Sequence, residues 1–391
     1  MRKSQPDSVS VPPAQRPGEA LPGTASADLL TLIAQAIAAN GGWLPFDRYM
    51  AMALYQPGLG YYANSSRKFG LMPQSGSDFV TAPELTPLFG RALAVQVAQA
   101  LRESGTTEVF EFGAGSGALA EQLISALDAL GQPLTRYTII DLSGTLRERQ
   151  ALRLARFGER VTWASEWPAV MQGVVVGNEV LDAMPVQLLV RQPEGSWHER
   201  GVALGAAGQL VFADRPSELT IPFIDVEGGA VLPGMVTEIH PQAEAFIRSL
   251  AEHLQRGAAF FLDYGFPEAE YYHLQRHQGT LIAHRLHQVD HDPLGDPGEK
   301  DLTAHVNFTG IALAGQQAGL DVIGYTSQAH FLFNCGIAEM MAGADLRERA
   351  MGQKLVTEHE MGELFKVIAF ATAGLQFNPL GFAHGDRMHR L

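Results

Sequence analysis

Apolar residues recur every three or four positions from Leu29 through Ile33 and Ile37, and the pattern stops at Asn40-Gly-Gly42. This spacing predicts a helix closed by glycine. A second helical piece spans Phe46 to Leu54, ahead of Tyr55-Gln-Pro-Gly58, and a third spans Pro87 to Arg102. The register then changes. A short β-prone run at Glu108–Phe112 precedes a helix marked by Leu119, Leu123, Ile124, Leu127 and Leu130. Tyr137–Asp141 reads as a strand, Leu146–Phe157 as a helix, Val161–Trp163 as a short strand and Gly173–Asn178 as a buried fourth strand. Further on, Pro241–His253 and Asn307–Gln317 read as helices, and Ala259–Asp263 and Lys366–Thr372 as buried strands. Strands alternating with helices predict an α/β fold, a doubly wound and mostly parallel sheet with helices on both faces. Between Val186 and Val231 the runs Gln187–Val190, Val202–Leu204 and Leu210–Phe212 are short and separated by turn residues. They predict a β-rich insertion after the fourth strand, placed at 186–235.

The remaining boundaries follow from composition. From Ser4 to Ser26 the chain is rich in Pro, Ser and Ala with almost no large apolar residues. Residues 1–26 are therefore expected to be disordered. Residues 27–104 form an N-terminal helical and lid region, 105–378 the main domain, and 379–391 a tail. The stretch Leu59–Pro87 is dense in Gly, Ser, Tyr and Pro and too long for an ordinary connection, which suits a lid or pocket wall running through Asp78 to Glu84 as well as a surface loop. The 391 residues carry 28 basic and 42 acidic side chains, a formal net charge of −14. That excess argues against nucleic acid as the main partner and suits a cationic ligand or basic peptide. One cysteine, Cys335, excludes an intrachain disulfide and a cysteine-rich metal site. No apolar run is long enough for a membrane span or a secretory signal, and the prolines and few arginines of the N-terminus make a poor mitochondrial presequence.

The chemistry concentrates in two places. Glu111-Phe-Gly-Ala-Gly-Ser-Gly117 joins the first strand to its helix, an arrangement that cradles nucleotide-like ligands. Gly113, Gly115 and Gly117 allow the turn and the close approach of backbone to ligand. Asp141, at the carboxyl end of the second strand, can accept from the two hydroxyls of a ribose. Gly113, Gly115 and Ala118 also satisfy the dinucleotide fingerprint, so a nicotinamide oxidoreductase is the alternative. Glu111, two residues before the first glycine, gives Glu-x-Gly-x-Gly-x-Gly and favours S-adenosyl-L-methionine. The second place is Asn178-Glu-Val-Leu-Asp182, leaving the fourth strand beside the glycine turn, where open sheets bind ligands. Paired carboxylates there could clamp a guanidinium or amine; acids at a helix start are the plainer reading. Tyr264, in Asp263-Tyr-Gly-Phe-Pro267, marks another pocket edge or a turn with an aromatic plug. The histidines His273, His277, His284, His287 and His291 lack a zinc signature and lie among Pro and Gly, so no metal is expected.

Taken together, these segments resemble the MidA family, which includes the mitochondrial complex I assembly methyltransferase and bacterial relatives. The resemblance runs from about Leu44 to Thr372. It rests on Gly60-Tyr-Tyr62, Ser77-Asp-Phe-Val-Thr-Ala-Pro-Glu84, the glycine motif and Asn178-Glu-Val-Leu-Asp-Ala-Met-Pro185, and continues through Asp263-Tyr-Gly265, Asp301-Leu-Thr-Ala-His-Val306 and Met361-Gly-Glu-Leu-Phe-Lys-Val367. Ala114 and Ser116 stand where the family often has Pro and Arg, and Asp141 where it often has Glu. The resemblance implies a class I methyltransferase using S-adenosyl-L-methionine to modify arginine on a protein, a respiratory complex I subunit in the mitochondrial member. It adds Thr81, Pro83 and Glu84 to the cofactor residues Glu111, Gly113, Gly115, Gly117 and Asp141. It makes Tyr62, Asp78, Tyr264 and His305 substrate-binding, and Asn178, Glu179 and Asp182 catalytic. A homodimer, a cytoplasmic location for a bacterial chain and the mitochondrial matrix for a eukaryotic one belong to the same expectation. A non-catalytic assembly factor retaining the cofactor fold is the other alternative.

Overall fold

The structure, a computed structural model, describes residues 24–64, 81–141, 144–219, 221, 233–285 and 288–391. Its centre is a sheet whose main strands are β1 (Glu108–Phe112), β2 (Arg136–Ile140), β3 (Val161–Ala164), β4 (Met171–Asn178), β5 (Leu254–Phe266), β6 (Leu320–Ser327) and β7 (Phe365–Thr372). Their spatial order is β6-β7-β5-β4-β1-β2-β3. From β5 to β3 all pairings are parallel; β7 runs antiparallel to both neighbours. The order reverses between β1 and β4, so a crevice opens at the carboxyl ends of these two strands.

Alternation along each strand builds two cores. Val109, Tyr137, Ile139, Val174, Val176, Phe260 and Leu262 face one side, packed with Phe89, Leu93 and Val97 of the helix Leu88–Ser104 and with Leu119 and Leu123 of the helix Ala118–Ala129. Phe110, Phe112, Val175, Ala259 and Phe261 face the other, against Ile247 and Leu250 of the helix Pro241–His253 and Ile311 of the helix Phe308–Gln317. The ends are set locally. Gly105, at φ 65°, closes Leu88–Ser104 by donating its N–H to the last turn, and the Asn307 side chain caps Phe308–Gln317.

A second body sits over the carboxyl edge. The helices Thr24–Ala39 and Phe46–Tyr55 pack through Leu29, Ile33, Phe46 and Leu54 onto Leu188, Val202, Ala283 and Leu302. The insertion forms an antiparallel sheet of Gln187–Arg191, Trp197–Leu204, Leu210–Pro216 and Val236–Ile239, joined by the two-residue strand Leu44–Pro45. Its last strand therefore lies beyond the expected limit at 235. That strand pairs with Gln187–Val190, which the short apolar run at Val236 did not reveal. The histidine-rich stretch is a small sheet rather than only loop: Ile282–Arg285 pairs with Gln288–Asp290 and Asp301–Thr303. The sequence reading also omits β6 and the helices Gln328–Asn334, Ile337–Ala342 and Leu346–Val356, which cover one face of the main sheet. The residues after 379 pack as well, Phe382 being buried against Phe331. No described helix is long and apolar enough to cross a membrane.

Candidate active site

Between the two bodies lies a cavity of about 920 Å³, bounded by the carboxyl ends of β1, β2, β4 and β5 below and by Tyr55, Tyr62, His284, Asp301 and Thr303 above. At one end, Gly113 and Gly115 have φ 64° and 52°, conformations that residues with a Cβ rarely adopt. A Cβ at Gly113 would stand 3.1 Å from Val180 Cγ2. Asp141 and Gly115 are joined by Gln150, whose Nε2 donates to Asp141 Oδ2 at 3.0 Å and to the Gly115 carbonyl at 2.9 Å. Gln150 is itself held by the Trp163 indole N–H at 2.9 Å. Phe112, Trp167 and Phe246 form an aromatic wall with centroids 4.6–5.1 Å apart, all three lining the cavity. Glu111 lines the floor; Tyr137 donates to it at 2.7 Å, and burial pushes its carboxyl up to about 8. A glycine turn, a carboxylate on the next strand, an apolar aromatic slot and a buried acid fit an adenosine-type cofactor with a charged amino-acid end.

Thr81, Pro83 and Glu84 also line this end. Glu84 accepts from the Ser116 hydroxyl and pairs with Arg153 at 3.1 Å, tying the short helix Ala82–Leu85 to the glycine turn. Gly117 is not in the lining. Its left-handed φ of 82° starts the helix Ala118–Ala129, and the space a Cβ would take faces Gln150 and Leu154. Asp78 lies outside the described residues.

The opposite end is acidic. Asn178, Glu179, Asp182, Tyr264, Asp301, Thr303 and His305 meet there. Glu179 stands at φ 54°, one of two non-glycine residues in the left-handed region among those described, with Oε1 accepting from Asn178 Nδ2 at 2.9 Å. Burial, reinforced by Asp182 and Asp301, pushes its carboxyl up to about 8. Asp182 is 4% exposed, and burial raises it to about 6 against the opposing hydrogen bond from Tyr264. Neither acid is ion-paired among the described residues. Asn178 Oδ1, Asp182 Oδ1, Thr303 Oγ1 and His305 Nδ1 are buried without a hydrogen-bond partner among the described groups. His305 lies edge-on to Tyr264 at 5.1 Å, and burial lowers it to about 4, leaving a neutral imidazole near pH 7. Tyr62 donates to both Asp301 oxygens at 2.9 and 3.0 Å and stacks on Tyr55 at 5.6 Å. Buried acids and acceptors without partners carry a desolvation cost that a polar cation in the cavity would offset.

Of the described residues given a catalytic, cofactor or substrate role from sequence, all but Gly117 line this cavity. The sequence reading gave no role to Tyr55, Trp167, Phe246, Gln150, Asp263 or Asp301. Asp263 and Asp301 lie in Asp263-Tyr-Gly265 and Asp301-Leu-Thr-Ala-His-Val306, so a signal is present for both; the aromatic wall carries no local pattern. Among the described residues no three His, Cys, Asp or Glu side chains gather to hold a metal ion.

The sequence family described as "Putative S-adenosyl-L-methionine-dependent methyltransferase" matches residues 92–326. The protein arginine methyltransferase NDUFAF7 of Xenopus tropicalis is 27% identical over 330 residues, 76% of this chain and 73% of that one. The same protein of Mus musculus is 27% identical over 371 residues, 84% and 81% of the two chains. Both are described as mitochondrial. A crystal structure from Burkholderia thailandensis, described as a "likely methyl transferase" bound to S-adenosyl-homocysteine, is 50% identical with a TM-score of 0.90, covering 95% of this chain and all of that one. A second structure from that organism is 48% identical with a TM-score of 0.86.

Proposed function

The chain belongs to the MidA-type family of S-adenosyl-L-methionine-dependent methyltransferases, and from that premise we propose that it methylates arginine on a protein. The nicotinamide alternative is set aside by the relative of 50% identity that holds S-adenosyl-homocysteine. The observation that carries the substrate class is the acidic end of the cavity. There, Glu179 and Asp182 stand without a cation beside buried acceptors that have no partner. A guanidinium offers five donors in a planar fork, which suits several carboxylate and amide oxygens better than a single ammonium does.

Glu111, Gly113, Gly115, Asp141, Thr81, Pro83 and Glu84 would hold the cofactor, with Asp141 on the ribose and the Phe112–Trp167–Phe246 wall against the base. When bound, the cofactor supplies an electrophilic methyl group on a sulfonium. The protein's own part is alignment. Arginine, with a pKa above about 12, enters charged, so Glu179, Asp182 and Asn178 orient one guanidinium nitrogen toward the cofactor end rather than deprotonating it beforehand. Tyr62, Tyr264 and His305 wall the site and exclude water. The nitrogen that gains a methyl gives up a proton, and the carboxylate of Asp182, raised to about 6, is placed to accept it. In this reading residues 105–378 are the methyltransferase domain, and 27–104 with the insertion roof its substrate end. A respiratory complex I subunit is the first protein substrate to test, in the cytoplasm of a bacterium or the matrix of a mitochondrion.

Incubation with methyl-labelled S-adenosyl-L-methionine and fractionated cell extract, followed by hydrolysis of the labelled protein, tests the reading. Label in methylarginine is expected. Label in another amino acid overturns the substrate class, and cofactor binding with no protein labelled in any fraction favours the non-catalytic assembly factor.

A further inference from the structure

Behind the acidic end lies a carboxylate that lines no part of the cavity. Asp263, near the end of β5, is fully buried. Its Oδ2 accepts from three successive backbone N–H groups, those of Val180 at 3.1 Å, Leu181 at 2.8 Å and Asp182 at 3.3 Å. Its Oδ1 accepts from the N–H of Tyr264 at 3.0 Å. Three consecutive donors converging on one oxygen form a nest of the kind that holds anions, and here a buried side-chain carboxyl fills it. The residue entering that nest is Glu179, whose N–H reaches the Leu262 carbonyl at 2.9 Å and whose φ of 54° is unfavourable for a side chain with a Cβ. The residue leaving it is Asp182, with Oδ1 unpartnered. Both acids of the proposed clamp are thus carried by the turn that Asp263 gathers.

We propose that Asp263 is the positioning residue of the substrate site: its carboxylate folds the 179–182 turn so that Glu179 and Asp182 face the cavity together. This rests on the reading of the acidic end as the guanidinium site. The placement has an electrostatic side as well. Burial pushes the Asp263 carboxyl well above the usual carboxylate range, Asp182 and Glu179 add to that rise, and the N–H donors oppose it. Two other bonds hold the turn from outside, Tyr55 Oη to the Ala183 carbonyl at 2.8 Å and the Ala304 N–H to the Asp182 carbonyl at 3.0 Å. Losing Asp263 should therefore loosen the turn without dismantling the roof.

The test uses D263N, which keeps shape and one acceptor, and D263S as a second variant should Asn fail to fold. Crystal structures with S-adenosyl-homocysteine are compared with the wild type, and butylguanidine is titrated into each complex. The account expects S-adenosyl-homocysteine affinity within about threefold of wild type and butylguanidine binding weakened about tenfold or more. It also expects the 179–182 turn to be displaced with Glu179 out of the left-handed region. Guanidinium binding lost while cofactor binding is kept is a split that a merely structural role would not produce. Wild-type butylguanidine binding, or an unmoved turn, overturns the proposal. If the wild type itself binds no butylguanidine, the substrate reading fails, while the conformation of the turn in D263N still decides the positioning role.

Discussion

Replacing Asp141 by Ala separates cofactor recognition from the fold that carries it. In the account above this carboxylate receives both ribose hydroxyls. Hydrogen bonds to a charged group contribute about 1.5–3 kcal/mol net, which corresponds to about ten- to a hundredfold in affinity. The structure also shows what else is lost. Gln150 is fully buried, and its amide donates to Asp141 Oδ2 as well as to the Gly115 carbonyl. D141A leaves one of those amide protons unsatisfied, a penalty of about 1–3 kcal/mol that falls on the free and bound protein alike. The melting temperature should therefore drop, but that drop does not enter the binding constant. D141N is the control: it keeps the size but offers one acceptor and one donor group where two acceptors are needed, so it should fall between wild type and Ala. Calorimetric titration of S-adenosyl-homocysteine into the three proteins at equal folded fraction gives the answer. A weakening below about threefold in D141A would assign the ribose to another group.

Two further outcomes follow from the same geometry. Gly115→Val should give a folded protein that no longer binds S-adenosyl-homocysteine measurably by calorimetry, because Gly115 stands at φ 52° in the cavity lining and a β-branched side chain there would occupy ligand space. Glu179→Gln should flatten the pH dependence of stability. With its carboxyl raised from 4.5 to about 8, the folded wild type binds more protons than the unfolded chain between those values, so stability falls as pH rises through that window. The variant should therefore gain melting temperature relative to wild type at pH 8 and show little difference near pH 4; an equal offset at both pH values would contradict it.

The parts of this molecule legible in its sequence are those whose physics is local. Gly173–Asn178 and Ala259–Asp263 read as buried strands because a parallel sheet covered on both faces needs continuous apolar runs. The glycine turn was legible because three left-handed residues in five positions require glycine. Spacing does not say which glycine faces a ligand, however, and Gly117 proves to serve the start of a helix. β5 is longer than its apolar centre, because its far end pairs with Val306–Asn307, a partner some forty residues on that no local pattern announces. The helices between Gln328 and Val356 were missed because short amphipathic pieces broken by Gly336 and Gly343 lack a sustained period. At the site, Glu179 and Asp182 were legible from their place after β4. Their dependence on Asp263 was not, since it arises from backbone N–H groups meeting a side chain more than eighty residues away.

The central claim is that one end of the cavity holds the cofactor and the other aligns a guanidinium through Glu179 and Asp182. The measurement that bears on it most directly is the single-turnover rate of methyl transfer to a confirmed arginine substrate by E179Q and D182N, taken beside their affinity for S-adenosyl-homocysteine. The account predicts affinities within about threefold of wild type and transfer rates lower by on the order of a hundredfold, the effect of misplacing a reacting group by about 1 Å. The larger loss is expected for E179Q, because Glu179 lies at the strand end where position is better fixed. Near wild-type transfer in both variants would contradict the claim.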